Sequence, residues 1–215
     1  MIQETPYNPL DKRNLGASVA EALLFRMAYP LQALEKFNGA GIYAIYYAGD
    51  FKVYQPMARH NRNDSPMAPI YVGKAVPPGA RKGGFGLDDT PNQSLYNRLA
   101  EHAESISLAL NLDIADFRCR YLVVDDIWIP LGESLLIAKF APVWNTLIDG
   151  FGNHDPGKGR YNGLRPRWDV LHPGRGWAEK CQERSETAEQ IGSDVAEYLR
   201  SHQVLSNLHF TVVDK

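Results

Sequence analysis

Cysteine is scarce: 215 residues hold two, Cys119 and Cys181. They lie far apart and in no Cys-x-x-Cys pair, which excludes a zinc knuckle and a disulfide framework. Cys119 falls inside an apolar strand-like run and reads as a small core residue. Long hydrophobic runs are missing too. No apolar stretch reaches membrane-spanning length, and no basic segment followed by an apolar one opens the chain, so neither a membrane nor a secretory route is expected. Nor is there a large excess of one charge; the formal value is −2, which excludes a globally basic nucleic-acid binder. The expectation is a soluble protein of the cytoplasm, in a reduced compartment. With 44% hydrophobic residues the chain can bury one core, and residues 1–215 are read as a single domain.

Charge is present locally. Arg59, Arg62, Lys74, Arg81 and Lys82 face one acid, Asp64, within residues 59–82. Lys158, Arg160, Arg165, Arg167 and Arg175 face Asp155 and Asp169 within residues 154–175, whereas the tail after Trp177 is acidic. Either island alone is as well explained by solvated loops. Together they offer a local surface for tracking phosphates. Neither Gly79 to Gly86 nor Gly157-Lys158-Gly159-Arg160 ends in the Lys-Ser/Thr of a P-loop, so no nucleotide cofactor is implied.

Along the chain, Leu15 to Phe37 has helical periodicity interrupted by Pro30. Ile42 to Tyr47 predicts a strand, closed by a Gly49-Asp50 turn, with Phe51 to Tyr54 as a returning hairpin strand. Gln55 to Ala68 reads as an inserted loop, Ile70 to Gly73 as a short buried strand, and Pro77 to Pro91 as a Gly/Pro-rich loop. Ser94 is a candidate N-cap for a helix reaching about Leu110, with Leu95, Leu99, Ala103 and Ile106 inward. Phe117 to Val124 predicts another strand. Trp128 to Phe140 predicts a helix with Leu131, Leu135, Leu136 and Ala138 inward, stopped by Pro142. Residues 145–176 show no sustained period, and a loop that long is usually functional or disordered. Glu179 to Leu199 is expected as a terminal helix and Leu208 to Val213 as an edge strand.

Certain polar residues stand out against this frame. Glu133 is a lone carboxylate in an otherwise apolar helix, where it needs a partner or a cation. One carboxylate plus waters and phosphate oxygens suits Mg²⁺, although a helix-surface glutamate fits the position equally. Arg98 and His102 are four apart, on a face beside the apolar stripe of their helix. Arg98 has the fork for phosphate oxygens, and His102 can donate a proton or polarise a tyrosine hydroxyl. Tyr43 and Tyr71, read alone, are core aromatics; with a reference pKa of about 10, tyrosine needs a cationic field to act as a base. Asn145 either orients a phosphate, holds a site together or simply ends a helix.

In order, Gly41-Ile42-Tyr43, Tyr71-Val72-Gly73, Arg98, His102, Glu133 and Asn145 resemble the motif set of the GIY-YIG nuclease superfamily. Valine replaces isoleucine in the second motif. The long gap between Tyr43 and Tyr71 marks residues 50–68 as an insertion. The match covers residues 41–145, the catalytic core by this resemblance. The insertion, the N-terminal helix and the arginine-rich loop make the chain most similar to the type II restriction endonuclease branch, and within it to enzymes cutting CCGCGG.

The resemblance implies an α/β (α+β) fold, a small mixed β-sheet flanked by helices. It implies Mg²⁺-dependent hydrolysis of double-stranded DNA at a palindrome. Tyr43 would activate water with help from Tyr71 and His102. Arg98 would stabilise the phosphorane, Glu133 would hold the metal, and Asn145 would position the phosphate or Glu133. DNA contacts are expected from Arg59, Arg62, Lys74, Arg81, Lys82, Lys158, Arg160, Arg165 and Arg167. Residues 146–176 would be a DNA-contacting loop and residues 177–215 a terminal helix and tail. Cutting both strands of a palindrome with one site per chain calls for a homodimer. Alternatives are a repair or homing-type nuclease of the same superfamily, a DNA-binding module without catalysis, and a protein-interaction domain.

Overall fold

The computed structural model describes residues 8–77, 92–155, 157 and 161–202. The expected strand at Leu208 to Val213, most of the loop from Pro77 to Pro91, and Arg81, Lys82, Lys158 and Arg160 lie outside the described residues.

The class is the expected α/β arrangement, built on one four-stranded sheet. Its strands are β1 (Tyr29–Pro30), β2 (Gly41–Tyr47), β3 (Pro69–Ala75) and β4 (Phe117–Val123), in the order β1-β4-β2-β3. The sheet is not mixed: all its pairings are antiparallel. β2 is buried along its whole length because helices cover both faces of the sheet, hence its unbroken apolar run. Alternate residues go to opposite faces. Ile42, Ala44 and Tyr46 meet Ala20, Leu23 and Leu24 of α1 (Lys12–Leu24) and Leu136 of α4 (Ile129–Phe140). Tyr43, Ile45 and Tyr47 belong to a larger core with Leu95, Leu99 and Ile106 of α3 (Ser94–Leu108), which also takes in Trp144, Ile148, Phe151 and Trp168. Each such fully buried aliphatic or aromatic side chain stabilises the fold by about 1.5–3 kcal/mol.

Several expectations are corrected. The first helix stops at Leu24, and Tyr29–Pro30 pairs with Arg118 and Cys119 at a sheet edge, where a residue without an N–H is tolerated. Lys52–Tyr54 is a 3-10 turn running into α2 (Gln55–Ala58); no hairpin strand forms because β3 and β4 already occupy both edges of β2. The insertion is not a plain loop. Buried Asn61 donates to Tyr47 O and Ala68 O and accepts from the Met67 and Ala68 amides. Ser94 is the first residue of α3 rather than its cap; Asn92 Oδ1 accepts from the Ser94 amide instead. On α4, Ala138 is exposed, while Leu131 and Leu135 pack on Gly16 of α1, leaving Ile129, Gly132 and Leu136 fully buried. Residues 145–176 contain α5 (Val143–Thr146, in part) and α6 (Arg167–Leu171), with Trp168 fully buried. The last helix, α7 (Ala188–Ser201), begins only behind a Thr187/Gln190 capping box.

Candidate active site

Tyr43 of β2 pairs with Gly73 of β3, and Tyr71 precedes Gly73 by two, so both tyrosines share the α3 face of the sheet. Gly73 is required there: a Cβ would lie 2.4 Å from Tyr43 Oη. On α3 the buried residues are Leu95, Leu99, His102 and Ile106. His102 therefore lies on the apolar stripe, 1% exposed, not beside it as expected. What makes burial of an imidazole tolerable is a partner: Tyr43 Oη is 2.6 Å from His102 Nε2.

Burial pushes His102 well below the ordinary histidine range, with Arg98 adding to the effect, so the imidazole is neutral at pH 7. Burial also pushes Tyr43 well above its ordinary value; the Tyr71 charge adds to this and Arg98 opposes it. Tyr71 is raised as well, chiefly by burial, with Arg98 again opposing. The cationic field sought in the sequence is thus present but is outweighed by desolvation.

Arg98, half-buried at the edge of the stripe, donates through Nη1 to Glu101 Oε2 at 2.9 Å and His154 Nε2 at 2.6 Å, and through Nη2 to Gly152 O at 2.8 Å. Glu133 of α4 approaches β3 from the other face. Its side chain is 17% exposed, its carboxylate is 2.6 Å from Lys74 Nζ, and its charge helps raise both tyrosines. Asn145 closes on the edge strand: its Oδ1 accepts from the Val72 amide and its Nδ2 donates to Val72 O, both at 2.8 Å. Its amide is thereby engaged with the backbone between Tyr71 and Gly73.

Among the described residues no group of three or more His, Cys, Asp or Glu side chains gathers as a metal cage. Glu133 stands as a single carboxylate that already attracts a cation, the Lys74 ammonium. That donor set fits Mg²⁺, which keeps most of its shell as water and phosphate oxygen, and does not fit a zinc or calcium cage.

The expected DNA-contacting residues divide. Arg59 is exposed. Lys74 is 40% exposed and paired with Glu133. Arg62 donates to Asp50 and to the Ala48 and Gly49 carbonyls. Arg165 donates to Ala178 O and Glu179 O. Arg167 joins Leu147 O to Glu186 and Asp194, tying α7 to the core. Arg175, within the loop expected to contact DNA, is 2% exposed and points inward to Asp169.

Sequence reasoning also missed a buried chain. Trp144 Nε1 donates to Tyr54 Oη, which lies 2.6 Å from His172 Nε2, while His172 Nδ1 is 2.9 Å from Asn111 Oδ1. With the tryptophan donating, the tyrosine proton goes to Nε2 and Nδ1–H goes to Asn111, so each member is satisfied. The aromatic residues were visible in the sequence, but nothing in their spacing paired them.

No curated protein matches the chain. A family model described as the Eco29kI GIY-YIG domain matches residues 35–199, a span that takes in both tyrosine strands, α3, α4 and α5. The chain therefore belongs to the Eco29kI GIY-YIG family, a family of restriction endonucleases.

Proposed function

We propose that this protein is a Mg²⁺-dependent type II restriction endonuclease that cuts double-stranded DNA at a palindrome, CCGCGG. The observation that carries the reading is the buried Tyr43–His102 pair at 2.6 Å with Arg98 beside it. A free Tyr43 phenolate is disfavoured by burial, so the tyrosine works as a relay. Its hydroxyl oxygen takes the proton of the attacking water while its own proton passes to neutral His102 Nε2; the imidazolium, which burial and Arg98 disfavour in the free protein, forms only with the anionic phosphate bound beside it and Arg98 engaged on that charge. Arg98 presents its fork to the non-bridging oxygens of the scissile phosphate, exchanging the His154 contact for a charge-assisted one.

Glu133 would hold Mg²⁺ in place of the Lys74 ammonium, and the ion would supply charge neutralisation and polarisation of the phosphate. Asn145 fixes β3, and with it the Tyr71–Gly73 geometry, rather than the phosphate. Arg59, Lys74, Arg81, Lys82, Lys158 and Arg160 are retained as DNA contacts; Arg167 is assigned to the fold. A homodimer brings one site to each strand.

The test uses supercoiled plasmids with and without one CCGCGG, incubated with Mg²⁺ or with EDTA, followed by sequencing of the ends. Linear product only from the plasmid carrying the site, and only with Mg²⁺, supports the proposal. Cutting in EDTA removes the metal, cutting of both plasmids removes the target, and no cutting of either removes the activity.

A further inference from the structure

Residues 150–154 lie between two arginines that between them capture the carbonyls of Gly150, Phe151, Gly152 and Asn153. Arg175 Nη2 donates to Gly150 O at 2.9 Å, and its Nη1 donates to Phe151 O and Asn153 O, each at 3.1 Å. The one carbonyl it passes over, Gly152 O, accepts from Arg98. The rest of the Arg175 fork is bidentate on Asp169, Nε to Oδ1 at 2.7 Å and Nη2 to Oδ2 at 2.6 Å. All five N–H donors of a guanidinium thus have acceptors. Its plane lies near the Trp168 and Trp177 rings, at 4.5 and 4.8 Å.

What this segment carries faces the candidate active site. The Phe151 ring stacks on His102, centroids 4.6 Å apart and 15° from parallel, and meets Tyr71 edge-on at 5.0 Å. A Cβ on Gly152 would lie 3.0 Å from both Arg98 Nη2 and Tyr71 Oη. His154 meets Arg98 Nη1. Burying an ion pair is costly, and apolar residues of equal volume often serve stability as well or better. An apolar side chain cannot hold three carbonyls in register. Lysine cannot either, with three donors at one point instead of a planar fork.

We propose that Arg175, oriented by Asp169, is a positioning residue of the nuclease centre. It fixes residues 150–154 so that Phe151 holds His102 against Tyr43 while Gly152 and His154 aim the Arg98 fork. The proposal rests on the nuclease reading of that site. Arg175, 2% exposed and with its guanidinium donors engaged by Asp169 and backbone carbonyls, acts through Phe151 and Gly152.

The experiment compares the wild type, Arg175→Lys and Phe151→Leu. It measures single-turnover cleavage, affinity for the target duplex, and the imidazole nitrogen resonances of His102 at pH 7. Phe151→Leu leaves Arg175 and its backbone bonds in place and carries the test if Arg175→Lys does not fold. Each folded variant is expected to cleave about tenfold more slowly or worse, to bind within about twofold of wild type, and to show displaced His102 resonances, because small misplacements at a reacting centre cost rate before binding. Unchanged His102 resonances, or an unchanged rate, in a folded variant would overturn the proposal. If the wild type itself cuts nothing, the nuclease reading fails, and the His102 resonances alone decide whether the clamp positions that ring.

Discussion

Taking one oxygen from Tyr43 removes, among the described residues, the only side-chain hydrogen-bonding partner of the buried His102 ring, at almost no cost in volume, so the Tyr43–His102 relay can be tested without rebuilding the core. Tyr43→Phe is expected to fold normally and to lose about 10²-fold or more in single-turnover cleavage, the usual worth of general-base help. Full activity would place the base elsewhere. The two buried histidines also set an acid limit. His102 lies well below its ordinary value and His172 is pushed down to about 3, both by burial. In the unfolded chain both take protons below about pH 6.5, while the folded chain refuses them, so stability is complete above that pH and lost as pH falls. The slope is about 1.4 kcal/mol per pH unit for each histidine. Urea midpoints should therefore drop between pH 7 and pH 5, and an unchanged midpoint would mean that neither ring is buried neutral. The residue types at the site were legible in the sequence because the motif order gives them. The relay was not, since residue type does not reveal that desolvation outweighs Arg98 at Tyr43.

β2, β3 and α3 were legible because each carries a run or a period strong enough to decide its own fate. β1 was not. A two-residue edge strand is defined by the neighbour it pairs with, and Tyr29–Pro30 has nothing local that announces Arg118 and Cys119. The same holds for α6, whose buried Trp168 and Asp169 sit in a stretch that reads as polar loop, and for Arg175, whose acceptors lie up to 25 residues away. Asn145 shows how an element can be completed from outside. β3 is an edge strand, and the Asn145 amide supplies the pairing that a further strand would give at Val72. Asn145→Ala should cost about 1–3 kcal/mol, since it strands a backbone donor and acceptor. The Val72 amide should exchange with solvent much faster. A protected Val72 amide in that variant would show that the strand edge does not depend on the side chain.

Across the whole molecule, the acidic C-terminal segment is joined to the core by Arg167, with Glu186 and Asp194 as its partners, and by Tyr198, whose hydroxyl donates to Ala141 O. Basic residues expected to offer a local phosphate-tracking surface are in part internal fasteners, so under the proposed function the duplex contacts fall to fewer positions, with Arg59 and Lys74 among the exposed ones. One candidate active site per chain leaves two strands to cut, and light scattering on a short CCGCGG duplex is expected to give two chains per duplex. A single chain per duplex that still makes double-strand breaks in one encounter would contradict the dimer. Under the proposed function Glu133 anchors the metal of a phosphodiesterase centre built on Tyr43 and His102. This assignment is tested most directly by Glu133→Gln, followed on one labelled target duplex by anisotropy for binding and by gel for cutting, in Mg²⁺. Binding within about tenfold of wild type with cleavage reduced at least about 10³-fold is the expected result, as for loss of a metal worth several kcal/mol to the transition state. A glutamine variant that cuts near the wild-type rate would contradict it.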